Sequence, residues 1–416
     1  MEFLKDIALP QSAEHIQLLH YLLVLVLFLF IPFISLHLWG TFLSVVFNRD
    51  QKDDPDGHYR QLSKDIISFS ASKKSLGIIL GIAPLVTIIL IYSQIFQATE
   101  SSVLDYLAAS VILIIVALIF NYTYSRTLSF IAGLAGVLIL FISLWFFTAG
   151  ISFALFYEFW MPEGLFSALF SSVVIIRFLL LLVTSLAVAC SGILFASFYL
   201  DNAKGIENEE YGKFIRSRIV NITLVSLLLI PLLLFANLII VPQSFLSGAV
   251  FAYTVIGLIL IFLALHFLYM IFARFSSKYT ALLFFTVLFV VLSVIISDQM
   301  VVNNATKMHS AVLAVEYEEI LSDLKGESGP ELLSGKKIYD VRCAACHKFE
   351  TKLVGPAHND VVPKYFGKED LLLAFIKNPT KIDDNFPPMP NPGLKPAEAK
   401  AVTDYVLEQV KLNVEK

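Results

Sequence analysis

Charge is what this chain lacks most. Only 15% of its 416 residues are Asp, Glu, Lys or Arg, while 57% are hydrophobic; a soluble protein carries roughly 25% charged residues. The shortage is concentrated before residue 300, in apolar runs long enough for a bilayer, which takes about 20 residues per helix. That excludes an ordinary soluble globular protein. A net charge of −4 gives no basic excess for a nucleic-acid partner, so none is expected. Cysteine is equally scarce. Three residues cannot make a disulfide framework, and one of them, Cys190, lies inside an apolar run where it reads as a small buried hydrophobe. A removable signal peptide is also missing from the pattern: the first apolar run far exceeds the roughly 7–15 residues of such a segment, and no small-residue cleavage site follows it.

Eight apolar runs follow one another, near 16–47, 75–97, 103–122, 128–157, 166–199, 218–241, 247–273 and 279–297. The first, fourth and fifth exceed the bilayer requirement and are expected to tilt, kink or project beyond it, with Pro32 a kink point in the first. The connections give direction. Arg49, Lys52, Arg60, Lys64, Lys73, Lys74, Arg126, Lys204, Lys213, Arg216, Arg218, Arg274 and Lys278 fall on one side, and the stretches 98–102, 158–165 and 242–246 on the other have no Lys or Arg. The positive-inside rule puts the first set in the cytoplasm, so eight crossings leave both termini outside.

From residue 330 on, the composition changes to 13 Lys/Arg and 12 Asp/Glu, and nine of the 16 prolines fall there. Within it, Cys343-Ala344-Ala345-Cys346-His347 concentrates chemistry in five residues. Two thiols three positions apart on one turn can add to the two vinyl groups of a single porphyrin, and the next imidazole is then held beneath the iron. The bare pattern also occurs in zinc and redox sites. Here Gly335 and Tyr339 precede it on a helical pattern and Pro387-Pro388-Met389-Pro390 follows it, so one covalent haem c is expected, with His347 as proximal ligand. In bacteria this attachment takes place on the outer face of the inner membrane, which agrees with the orientation drawn from the loops. Met389 is the expected distal ligand. It is the only methionine after Met308, its flanking prolines stiffen the loop, and its thioether favours Fe(II). His358, eleven residues past His347, is the rival.

This region resembles a class I cytochrome c from end to end. The resemblance implies that Gly335, in a first helix over 331–346, crosses closely against an aromatic of the last helix, here Tyr405 in a helix opened by Pro396. It also implies that the carbonyl of Pro356, in Val354-Gly355-Pro356, accepts the proximal imidazole N–H and raises its basicity; a simple Gly-Pro turn is the plainer reading. The expected fold class is therefore all-α: a polytopic helical membrane bundle over 1–297, a helical and flexible connector over 298–329, and a small all-α cytochrome c domain over 330–416. Ala311, Val312, Val315, Tyr317 and Ile320 give the connector a helical pattern, and Gly326 to Pro330 break it.

Ionisable residues within spans are costly and mark candidate sites. His37 and His266 lie at matched depth in the first and seventh runs and could clamp a haem b, or be buried imidazoles bonded to helix carbonyls. His20 has no evident partner. Arg177 could hold a haem propionate or a quinone head, or reach outward to Glu158, Glu163 or Asp105. Only four histidines lie at or within spans, fewer than the six of a haem–copper oxidase core, and no two helices carry histidine pairs of the kind found in quinol–cytochrome c oxidoreductases. Trp160 alone sits where a haem-handling assembly protein would have a Trp-rich loop.

The expected function is electron transfer through a periplasmic His/Met haem c, in a carrier or a subunit of a quinol/cytochrome oxidoreductase of a quinone-linked respiratory chain in the bacterial inner membrane. Its partners would be the bilayer, redox proteins, a quinone and other membrane subunits. The alternative is a passive anchor, partner platform or transporter-like domain with an accessory or sensor cytochrome. Pro84 and Pro231, in the second and sixth runs, are the feature that favours a transporter.

Overall fold

The computed structural model describes residues 11–49, 56–71, 74–97, 103–155, 168–200, 204–324, 335–383 and 386–414. Trp160, Glu158, Glu163, Lys52, Lys73 and the Gly326–Pro330 breaker lie outside the described residues. Among the described residues every regular element is helical. Contacts divide the chain into two compact units: His20–Ser93 with Thr99–Ala305, and Met1–Leu19 with Gln94–Ala98 and Thr306–Lys416.

Eight described helices are long and apolar enough to cross a membrane, one for each run read from hydropathy. They are α1 (Ala13–Arg49), α3 (Lys74–Ile95), α4 (Val103–Thr127), α5 (Phe130–Leu155), α6 (Ser172–Phe198), α7 (Glu209–Ile240), α8 (Gly248–Ala273) and α9 (Ser277–Leu324). This is a multi-pass membrane protein.

Helix α1 has no Asp, Glu, Lys or Arg between Glu14 and Arg49, and it contacts three other spans. Its Trp39 Nε1–H donates to Leu182 O at 3.1 Å and Ser185 Oγ at 2.8 Å on α6, its Phe30 ring lies 5.1 Å from Phe147 on α5, and its His37 carbonyl accepts from Asn121 Nδ2 on α4 at 3.5 Å. Helices in lipid gain little from hiding apolar surface from one another, so small residues and hydroxyl bonds carry the contacts. Ser110 and Ser143 join α4 to α5 at 3.1 Å, and Thr254 and Ser297 join α8 to α9 at the same distance.

Two features depart from the hydropathy reading. The first connection contains a further helix, α2 (His58–Ser70), amphipathic, with Leu62, Ile66 and Ile67 buried. It starts at Gly57, whose φ of 68° suits glycine, and docks by reciprocal bonds of 2.8 Å between Ser63 and Ser44 of α1. In α3, the residues Gly77–Ile82 form a π-helical turn, closed by the Ala83 N–H bonding back to Ile78 O. Pro84 follows at once and has no N–H to give, so the ladder is already broken there.

Helix α9 runs for 48 residues, about 72 Å at 1.5 Å per residue, against a hydrocarbon core of about 30 Å. The apolar span and the polar connector are thus one uninterrupted helix as far as Leu324.

In the second unit α10 (Gly335–Arg342), α11 (Glu369–Lys377) and α12 (Pro396–Val414) close on a core of Tyr339, Val362, Leu372, Ile376, Val402, Val406 and Val410. Helix α12 begins at Pro396, and Glu398 reaches back to accept the Lys395 N–H at 2.7 Å, as in a capping box. Helix α10 ends at Arg342, before the first cysteine; residues 331–334 lie outside the described residues. At Gly335 a Cβ would overlap the Ala401 carbonyl and press on Tyr405 Cβ at 2.6 Å, so only glycine permits this crossing of α10 and α12.

Candidate functional site

The residues after α10 turn tightly. The Cys343 and Ala344 N–H groups both bond Tyr339 O at 2.9 Å, and Cys343 O then accepts from Cys346 N at 3.0 Å and His347 N at 2.9 Å. The chain returns on itself when Val354 N and Gly355 N both donate to Cys346 O, at 3.1 and 2.9 Å. This fold-back lays Gly355 against the His347 ring, where any Cβ would collide with it. It also brings Pro356 O to 3.1 Å from His347 Nδ1. With the proton on Nδ1, the bond fixes the tautomer and leaves the Nε2 lone pair for a metal. Tyr339 Oη donates to His347 O at 3.2 Å, tying the loop to α10.

A cavity of about 170 Å³ opens in front of this ring, with Cys343, His347 and Pro356 on its wall and Met389 and Phe386 on the loop before α12. Most of the rest is apolar, with Leu372, Ile376, Val402 and Val406 among the lining, while His358, Lys364, Thr380, Lys381 and Asp383 add polar groups. Burial holds His347 below the usual histidine range, opposed by the Pro356 bond, so the imidazole is the neutral form that ligates. Burial, with Cys346 beside it, pushes the Cys343 thiol up to about 12 and keeps it protonated. A largely apolar cavity lined by the Cys343 thiol, a neutral imidazole and a thioether, with Cys346 three residues on in the same turn, fits a haem joined through the cysteines.

His358 takes a different position from the one a rival ligand needs. Its ring stacks on His347 with centroids 4.7 Å apart and an interplanar angle of 14°. Imidazoles that ligate one iron from opposite sides point nitrogens at each other and cannot lie face to face. His358 also lines the cavity, but its ring packs against His347, Tyr339 and Phe349.

The cytochrome c family matches residues 332–409. Cytochrome c-552 of Nitrosomonas europaea is 41% identical over 102 residues, 24% of this chain and 86% of that protein. Cytochrome c-551 of Pseudomonas denitrificans is 37% identical over 84 residues, 19% of this chain and 95% of that protein. Cytochrome c-552 of Hydrogenobacter thermophilus is 38% identical over 68 residues, 16% of this chain and 69% of that protein.

The chain belongs to the cytochrome c family. Membership rests on the C-terminal region, a class I cytochrome c domain that binds haem c and transfers electrons. The group supplies a one-electron couple between ferric and ferrous iron, while the protein supplies the ligands and a dry wall.

The candidate residues of the bundle fare differently. His37 is buried, 1% exposed, between Phe33 at 4.5 Å and Tyr122 at 5.8 Å, and its Nδ1 has no partner among the described residues. His266 is exposed on α8, its ring near only Phe267 among the described aromatics. The structure does not bring the two together, so a haem b clamped between them finds no support. Depth along a span can be read from sequence, but each residue turns the helix by about 100°, and matched depth says nothing of facing. His20 is buried with both ring nitrogens unpaired among the described residues.

Among the described residues Arg177 pairs with Asp298 and not with Asp105; Glu158 and Glu163 lie outside the described residues. Arg177 Nη2 lies 2.7 and 2.8 Å from the two carboxylate oxygens of Asp298 on α9, and its side chain is 6% exposed. Nε and Nη1 find no partner among the described residues. Asp298 was the missed residue. Its signal is position: a lone acid at the C-terminal end of the eighth run, which in alternating spans lies on the same side as the N-terminal part of the fifth, where Arg177 falls.

Proposed function

We propose that this protein is a membrane-bound electron carrier of a quinone-linked respiratory chain in the bacterial inner membrane, its one covalent haem c held on the periplasmic face. Cys343 and Cys346 bear the haem, His347 and Met389 are its axial ligands, and Pro356 orients His347. The membrane part over 1–297, the connector over 298–329 and the cytochrome domain over 330–416 divide the work. The bundle meets quinol and any further subunits, and the cytochrome domain exchanges electrons with redox proteins. One observation carries this reading: one largely apolar cavity is lined by Cys343 and His347 of the motif and by Met389, the domain's one methionine. The orientation draws on the loops, where all thirteen basic residues of the membrane part's connections lie on one side. A haem b between His37 and His266 is not part of the proposal, since one of the two faces outward.

Met389→Ala is the test. It should remove the weak sulfur-to-iron charge-transfer band at the red end of the oxidised spectrum and lower the potential, because the lost ligand prefers Fe(II). A band that survives would assign the sixth position elsewhere. A reporter fused after Lys74 should be active only in the cytoplasm; activity outside would reverse the topology.

A further inference from the structure

The bundle contains a second apolar cavity, of about 90 Å³, with Arg177 and Asp298 in its wall. Its lining comes from the ends of six spans that alternate in direction: the first part of α1, the end of α5, the start of α6, the end of α7, the start of α8 and α9 around residues 291–301. Chains that run up and down place those ends on one side, the side that the loop charges assign to the outside. Leu, Ile and Val make up 13 of the 21 lining residues, and three of the polar ones carry groups left unpaired. Arg177 presents the Nε and Nη1 donors that Asp298 does not use, Thr184 a buried Oγ1 and Asn237 a buried Oδ1, none with a partner among the described residues. Other hydroxyls of the lining are satisfied: Thr148 bonds Leu144 O at 2.8 Å, and Thr254 bonds Val250 O at 2.8 Å.

Unpaired donors and acceptors are rare in a protein interior and rarer still at membrane depth, where no bulk water substitutes. Arg177 lines the cavity and is held by one nitrogen, Nη2, which leaves its Nε and Nη1 donors unused. The complement of such a wall is an apolar ring with two oxygen functions: one accepts from Arg177, and the other donates to Asn237 or Asp298. A charged or strongly hydrated solute fails the first requirement, because the remaining surface is hydrocarbon. A lipid tail fails the second.

We propose that this cavity binds the headgroup of a membrane quinol, with Arg177 on one ring oxygen and Asn237 and Thr184 placed for hydrogen bonds to the other side. Asp298 positions the guanidinium and is the acceptor nearest to hand for a quinol hydroxyl. The proposal deepens the reading of the protein as a quinol-linked carrier and rests on it for the choice of ligand.

The test uses the full chain in detergent with its haem c. Binding is read by quenching of tryptophan fluorescence with decylubiquinone, since Trp145 packs on Phe178, next to Arg177, at 5.2 Å between ring centroids. The wild type should quench saturably. Arg177→Met should weaken binding by about 100-fold, and Asn237→Leu and Thr184→Val, which leave the ion pair intact, by about 3- to 10-fold each. Equal, linear quenching in the wild type and all three variants would overturn the site. A separate arm mixes decylubiquinol with the oxidised protein; each quinol gives two electrons and two protons, so one quinol should reduce two haems c. Saturable binding without reduction would keep the site and overturn quinol as the electron source. Reduction that the three variants leave unchanged would keep the source and overturn the site.

Discussion

In the cytochrome domain the groups proposed to meet the haem come from one five-residue turn, the Gly355–Pro356 fold-back that closes on it, and the Met389 loop. In the bundle, Arg177 and Asp298 are 121 residues apart on separate helices and meet only because two spans happen to face each other. The first arrangement is local: backbone bonds to Tyr339, Cys343 and Cys346 carbonyls set it before any long-range packing is needed. The second is wholly tertiary. A local site can be built on a domain of about 80 residues, whose own core is thin, because its cofactor becomes part of that core. A dispersed site needs a bundle already rigid enough to hold unpaired polar groups in hydrocarbon.

The sharpest way to break this contrast is to remove the local site. Cys343→Ala with Cys346→Ala should abolish the haem stain that survives denaturing electrophoresis. It should also leave the C-terminal domain poorly folded, since Val362, Leu372, Val402 and Val406 would then face an unfilled cavity. The bundle should be untouched, and its helix content and melting in detergent should match the wild type. A bundle that unfolds along with the domain would show that the two regions are not independent in this way.

Next in size is the dispersed pair. Asp298→Asn or Arg177→Met alone leaves one buried charge without its partner and should lower bundle stability by roughly 3–5 kcal/mol. Changing both to Met removes both charges, and such replacements are often neutral or stabilising, so the double variant should melt near the wild type in detergent. If it does so and has also lost quinone binding, the pair serves the ligand. A double variant as unstable as the single ones would make the pair a structural tie.

How far each region could be read from sequence follows the same division. The Cys343–His347 turn, the Gly335 crossing on Tyr405 and the helix opened by Pro396 depend on near neighbours or on a known pattern, and they appear where the sequence puts them. The eight spans were legible because lipid demands about 20 apolar residues at a stretch. Helix α2 was not. It is 13 residues with charges on one face, inside a connection that hydropathy averages away. The junction near residue 297 was hidden because loss of apolar character does not end a helix, and α9 continues to Leu324. His266 and Asp298 illustrate the remaining gap, since rotation about a helix axis is set by partners far along the chain.

The smallest effect concerns His358. Its Nε2 is buried without a partner among the described residues, as the unpaired groups of Arg177, Thr184 and Asn237 are, yet here the ring packs on His347, Tyr339 and Phe349. Burial, with His347 alongside, holds the His358 pKa down at about 3. In the unfolded chain it returns to about 6.5. Above pH 6.5 both states are neutral and the residue costs nothing through protonation. As the pH falls below 6.5, the unfolded chain takes up the proton first, so the folded domain loses stability progressively toward pH 3. His358→Phe keeps the stacked ring and removes the titration. Its melting temperature should equal or slightly exceed that of the wild type at pH 7. At pH 5 the variant should be ahead by about 2 kcal/mol, from about 1.5 pH units at 1.36 kcal/mol each. The absorption spectrum should not change, because the ring is no ligand. Parallel acid limbs for variant and wild type would mean that His358 is not held neutral. A changed spectrum would return it to the iron and remove the distinction between packing histidine and ligand on which the reading of this domain depends.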